Sequence, residues 1–111
     1  MLKVDKIGSV MVVSFDQESK INVTVSQKIK VEITKMVTPH SKLVLNLEGV
    51  NYIDSTGFGM LLSILRTCKN NQSLLKLCNI SPEVMELVKL LQLQTVFDIR
   101  NSLDDCLKGF E

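Results

Sequence analysis

The feature that most constrains the fold is an apolar run joined to a helical stripe by a cluster of capping residues. Leu43-Val44-Leu45-Asn46-Leu47 is nearly continuous apolar sequence, as expected for a central strand covered on at least one face. Asn46 interrupts it and is expected to hydrogen-bond near the following loop. Phe58, Leu61, Leu62 and Leu65 then recur at i, i+3, i+4 and i+7, the spacing of one helix face. Between them stand Asp54, Ser55 and Thr56, whose side-chain oxygens can accept the unpaired N–H groups of a helix start. A buried strand therefore feeds a short loop, and the loop delivers a serine and a threonine to a helix N-terminus. Gly57 and Gly59 remove side-chain bulk there, so another chain could approach the backbone closely. A hydroxyl so placed is suited to carrying a phosphate, because the helix start offers N–H groups and the positive end of a dipole.

The rest of the chain repeats the alternation. Leu2, Val4 and Ile7 alternate with Lys3, Asp5 and Lys6, the pattern of a charged edge strand, and Gly8-Ser9 predicts a hairpin into a more buried strand, Val10 to Phe15. Asp16 to Asn22 is polar and turn-like. Val23 to Val37 carries two patterns at once. Val23, Val25, Ile29, Val31, Ile33 and Val37 fall on odd positions, whereas Val25, Ile29, Ile33, Met36 and Val37 make a helical stripe. The unbroken length favours a helix, with Asn22 as N-cap, although its β-branched residues are poor local helix formers. Thr38-Pro39-His40-Ser41 ends it. The lone histidine, His40, reads as an exposed loop residue. A helix from the capping cluster to about Cys68, a turn at Lys69 to Gln72 and a strand at Leu74 to Cys78 follow. Ser81-Pro82 opens a third helix with the stripe Val84, Leu87, Val88 and Leu91. Val96 to Ile99 reads as a short strand, and Ser102 with Asp105 resembles a capping box before Leu103, Cys106, Leu107 and Phe110. Strands alternating with helices imply an α/β sheet with parallel pairs, made mixed by the N-terminal hairpin.

Length and charge exclude several classes. The 111 residues fit a single domain spanning 1–111, with enough chain for one core. A net charge of +1 with interspersed signs offers no basic patch for nucleic acid. Cys68, Cys78 and Cys106 are odd in number, lack CxxC spacing and lie in apolar patterns, so buried reduced thiols in a cytoplasmic protein are expected. No signal-peptide core and no run of about eighteen apolar residues occurs, which argues against membrane insertion. No ligand cluster suggests a metal, and no cofactor motif is complete: Leu62 stands where a dinucleotide fingerprint needs its third glycine. Ser55 lacks the Gly-x-Ser-x-Gly setting of a hydrolase nucleophile, because Ile53 occupies the first glycine position, so no enzymatic activity is expected.

The segment Asp54-Ser55-Thr56-Gly57-Phe58-Gly59 resembles the signature of the STAS domain, the fold of bacterial anti-sigma factor antagonists. The likeness extends through Asn79 to Val84 and Leu93 to Ile99, where that family has its third helix and last strand. It implies a mixed sheet of four to five strands with about four helices. It also implies a cycle in which the unphosphorylated protein binds an anti-sigma factor that is itself a serine kinase, freeing a sigma factor. The kinase phosphorylates the residue after the motif's aspartate, Ser55 here, and a PP2C-type phosphatase reverses the step. Thr56 is the fallback acceptor. Asp54, Ser55, Thr56, Gly57, Phe58 and Gly59 then form the partner surface, with Phe58 divided between core packing and an exposed apolar anchor. The loop Asp16 to Asn22 departs from the family's Gly-Glu-Leu-Asp-like entry to its first helix, where the resemblance implies kinase contacts. The alternative is a STAS subunit of a membrane lipid-transport ATPase complex, docking through the same helix start without phosphate. A phosphate adds about −1.5 to −2 charge at pH 7. Beside Asp54 in an interface, that repulsion is expected to weaken docking on the order of a hundredfold while leaving the fold intact.

Overall fold

A computed structural model describes residues 2–15 and 19–111. In chain order its elements are β1 (Leu2–Ile7), β2 (Val10–Phe15), β3 (Lys20–Ile21), α1 (Val23–Thr34), β4 (Lys42–Asn46), β5 (Tyr52–Ile53), α2 (Ser55–Asn70), β6 (Leu74–Cys78), α3 (Pro82–Leu90), a 3₁₀ turn at Leu93–Thr95, β7 (Asp98–Arg100) and α4 (Leu103–Gly109). Five strands form a mixed sheet in the order β1-β2-β4-β6-β7. The β1–β2 hairpin is antiparallel and the remaining pairs are parallel. Gly8 takes φ +61 in the hairpin turn, where a side chain would be strained.

Period-two alternation divides the sheet into two faces. Val13 and Phe15 of β2, Leu43 and Leu45 of β4, and Leu75 and Leu77 of β6 enter a large core with residues of α1, α2 and α3. Val10, Val12, Val44 and Cys78 point the other way and meet Cys106 of α4, with Leu103, Leu107 and Phe110 packed alongside. Three helices thus cover one face and the short C-terminal helix covers part of the other.

The helical reading of α1 holds over Val23–Thr34, ending earlier than Val37. Ile29 and Ile33 are buried and Val25, Met36 and Val37 pack against the core, whereas Val23 and Val31, demanded only by the strand reading, are exposed. Burial of one stripe outweighs the weak local preference of its β-branched residues. The stripes of α2 and α3 are rotated from expectation. In α2 the buried residues are Gly57, Phe58, Met60, Leu61, Ile64 and Cys68, and Leu62 is exposed. In α3 Val84 and Val88 are buried, while Leu87 and Leu91 are exposed. The last strand begins at Asp98 rather than Val96, because Val96 and Phe97 close the 3₁₀ turn with amides bonded to the Leu93 carbonyl. The polar loop before α1 contains the unforeseen strand β3, whose partner is β5.

Candidate functional site

Two small strands build the site. β3 and β5 pair in parallel, Lys20 with Tyr52 and Ile21 with Ile53. The Asn51 amide donates to the Ser19 carbonyl at 2.9 Å and the Asp54 amide to the Ile21 carbonyl at 3.1 Å. The chain entering α1 is thereby fastened to the chain entering α2, and both helices begin at one place. Asn46 fastens the start of the loop that leads into β5: its Oδ1 accepts from the Glu48 amide at 3.1 Å and from Asn79 Nδ2 at 2.9 Å.

Asp54 lies where the two helix starts meet. It is the N-cap of α2, with Oδ1 accepting from the Gly57 amide at 3.0 Å. The same oxygen accepts from the Thr56 hydroxyl at 2.6 Å, and Oδ2 accepts from the Val23 amide of α1 at 3.2 Å. The Thr56 hydroxyl holds this carboxyl below the ordinary carboxylate range, with partial desolvation opposing and the Gly57 and Val23 amides adding to the depression. Asn22 caps α1 separately, accepting from the Thr24 amide at 3.0 Å. The positive ends of two helix dipoles therefore converge on one ionised side chain.

Around Asp54 the six signature residues separate into two sets. Ser55, the first residue of α2, is exposed, as are Thr56 and Gly59. Gly57 and Phe58 are buried. A Cβ on Gly57 would stand 2.5 Å from Ile53 Cγ2 and 3.0 Å from both Cγ2 and the carbonyl oxygen of Ile21. Its missing side chain thus lets α2 settle against β3 and β5, correcting the idea that another chain approaches there. Phe58 is 6% exposed and belongs to the main core, so it packs inward and is not an exposed anchor. A Cβ on Gly59 would meet nothing within 4 Å, so the open backbone expected of this segment belongs to Gly59 alone.

Gly59 borders a shallow groove of about 260 Å³ between α1 and α2, lined by Ser26, Gln27, Lys30, Thr56, Met60 and Ser63. The α1 residues of this groove carry no mark in the linear sequence, because only the pairing of β3 with β5 brings them beside the signature. Ser26 is buried, and its Oγ lies 3.1 Å from Thr56 Oγ1. Val23 and Tyr52 expose apolar surface at 69% and 47% beside the same corner. Of the loop once expected to contact a partner, Asp16, Gln17 and Glu18 lie outside the described residues. His40 is an exposed loop residue with its backbone at φ 60. Among the described residues no group of three or more His, Cys, Asp or Glu could hold a metal ion. No helix among them is long and apolar enough to cross a membrane.

This architecture, a mixed sheet with a capped helix presenting an exposed serine, is that of a STAS domain. The chain belongs to the STAS domain family, whose model matches residues 1–106. It is 23% identical over 111 residues to BtrV of Bordetella bronchiseptica, whose name designates an anti-sigma factor antagonist, covering 99% of this chain and 94% of that one. The structure of an anti-sigma-factor antagonist (STAS) domain protein from Planctomyces limnophilus superposes with TM-score 0.89 at 20% identity, covering 97% and 96% of the two chains. SpoIIAA, the Bacillus cell fate determinant, in its phosphorylated form superposes with TM-score 0.71 at 15% identity over the whole of both chains.

Proposed function

We propose that this chain is an anti-sigma factor antagonist, a single domain over residues 1–111 whose docking on an anti-sigma factor is governed by phosphate on Ser55. The observation that carries the reading is the exposure of Ser55 at the start of α2, directly beside an ionised Asp54. The names of BtrV and the Planctomyces protein support the partner class, and the phosphorylated form of SpoIIAA supports the modification. The partner surface comprises Asp54, Ser55, Thr56 and Gly59, extended by Val23 and Tyr52. In this reading the antisigma factor is a serine kinase acting in the cytoplasm, a PP2C-type phosphatase restores the free hydroxyl, and the chain is their substrate rather than an enzyme.

Electrostatics explains why such a switch would act on docking and spare the fold. In the free chain the new charge faces water, where its repulsion from Asp54 is small, and two helix starts offset part of it. A partner that covers the corner removes that water, and the same charge becomes costly in the interface. The exposed serine favours this reading over docking on a membrane lipid-transport ATPase without phosphate. In pull-downs from its native cells, Ser55→Ala is expected to retain the anti-sigma factor and to carry no phosphate at position 55. Ser55→Asp is expected to bind on the order of a hundredfold more weakly. Equal retention of the partner by both variants, or phosphate on neither Ser55 nor Thr56 in the wild type, would overturn the proposal.

A further inference from the structure

We infer that a hydroxyl lock formed by Ser26, Thr56 and Asp54 makes Thr56 a poor phosphate acceptor and directs transfer to Ser55. This rests on the reading above that the corner is phosphorylated by a serine kinase, and it adds a selecting device that includes a residue of α1. Thr56 and Ser55 are both exposed, so access alone does not distinguish them. Their hydrogen bonding does. Thr56 Oγ1 donates its proton to Asp54 Oδ1 at 2.6 Å. One of its lone pairs accepts from the Ser26 hydroxyl, which donates across 3.1 Å from the neighbouring helix. Ser26 is itself buried, and Asp54 is held by the Gly57 and Val23 amides, so neither partner is free to turn away.

The chemistry of transfer needs what this arrangement withholds. The acceptor oxygen must form a bond to the γ-phosphorus of a nucleoside triphosphate while the bond from that phosphorus to the β–γ bridging oxygen breaks. The nucleoside diphosphate leaves, and the hydroxyl proton passes to a base on the kinase. At Thr56 the proton is already committed to a carboxylate whose protonated form is disfavoured, and one of the oxygen's two lone pairs is engaged by Ser26, which leaves a single lone pair for attack. Breaking a hydrogen bond to a charged group lowers the population of the reactive arrangement by roughly ten- to a hundredfold. Sequence alone makes Thr56 an equivalent neighbour of Ser55; the fold makes it a strut between two helices.

The test uses the full chain, ATP and the serine kinase recovered with it, with phosphate mapped by fragment mass spectrometry. The wild type is expected to carry phosphate on Ser55. Ser55→Ala is expected to label at position 56 at least about tenfold more slowly. Ser55→Ala/Thr56→Ser is expected to label equally slowly at position 56, which separates the lock from a kinase preference for serine. Adding Ser26→Ala to that pair should raise labelling at position 56 several-fold, with the urea midpoint recorded alongside to exclude unfolding. Labelling of Ser55→Ala/Thr56→Ser within about threefold of the wild type would overturn the lock and leave the Ser55 switch standing. No rise on adding Ser26→Ala would remove Ser26 from the lock. A wild type without phosphate would overturn both readings together.

Discussion

Two glycines two residues apart show how differently one residue type can be used. The site of Gly57 is closed by Ile53 and by the backbone of Ile21, whereas that of Gly59 is open. Gly57→Ala is therefore expected to destabilise the fold by about 1–3 kcal/mol through overpacking, because the Ile21 carbonyl cannot yield without disturbing the β3–β5 pair. Gly59→Ala is expected to stabilise it by up to about 1 kcal/mol, the ordinary gain of alanine over glycine inside a helix. Urea denaturation of both variants checks the contrast, and opposite signs are the expected result. If Gly59 lies under the partner, the same substitution should weaken docking while strengthening the fold. Phe58 carries the same lesson. Its place in the stripe identified it as apolar, and only the direction of α2 against the sheet decided that it faces inward.

At the scale of elements, α4 ends beside a charged cluster on the second sheet face. Lys76 of β6 is buried, pairs with Asp98 of β7 and lies 4.8 Å from the centre of the Phe110 ring. Arg100 Nε donates to the other Asp98 oxygen at 2.7 Å. Its bond, followed by that from Lys76, holds the Asp98 carboxyl below the usual range, with partial burial opposing. A depressed carboxylate contributes stability that is present in full above its unfolded value near pH 4 and lost as pH falls through the lower folded value. Asp98→Asn leaves the buried Lys76 ammonium without its carboxylate. Because the Asp98 side chain is 39% exposed, the expected loss lies between that of a surface pair and that of a buried one, about 2 kcal/mol. Denaturant midpoints at pH 7 and at successively lower pH below about 4 check this, with the two proteins converging as pH falls through the folded value of Asp98.

Across the whole molecule, the sheet separates two cores, and all three thiols lie within them. Burial pushes Cys68 up to about 11, and burial together with the neighbouring Cys106 pushes Cys78 up to about 12. Burial also raises Cys106, against a bond from Cys78. All three are free and buried, as their apolar settings in the sequence predicted. They are expected to resist a thiol-directed reagent in the native protein and to react together at the unfolding transition. Labelling of any one below that transition would contradict the packing. Folded thiols with raised values contribute stability in full below about pH 8.5, where the unfolded thiol begins to ionise. That contribution is lost as pH rises towards about 11 for Cys68 and about 12 for Cys78. Unfolding midpoints measured from pH 8 upward should therefore decline.

Periodicity and capping chemistry, both local, were legible in the chain itself. The run Leu43 to Leu47, the caps Asn22, Asp54, Ser81 and Ser102, and the hairpin at Gly8 all stand where their residue types place them. So does the exposed serine at the start of α2. Tertiary structure alone decided which side of each stripe is buried, since a period of 3.6 fixes a face but not the direction in which it is turned. It alone brought α1 to the signature, because β3 is two residues long and acquires meaning only beside β5. Residues distant in sequence can share a hydrogen bond only once the backbone has brought them together, so the joining of Ser26 to Thr56 and of Val23 to Asp54 belongs to the fold.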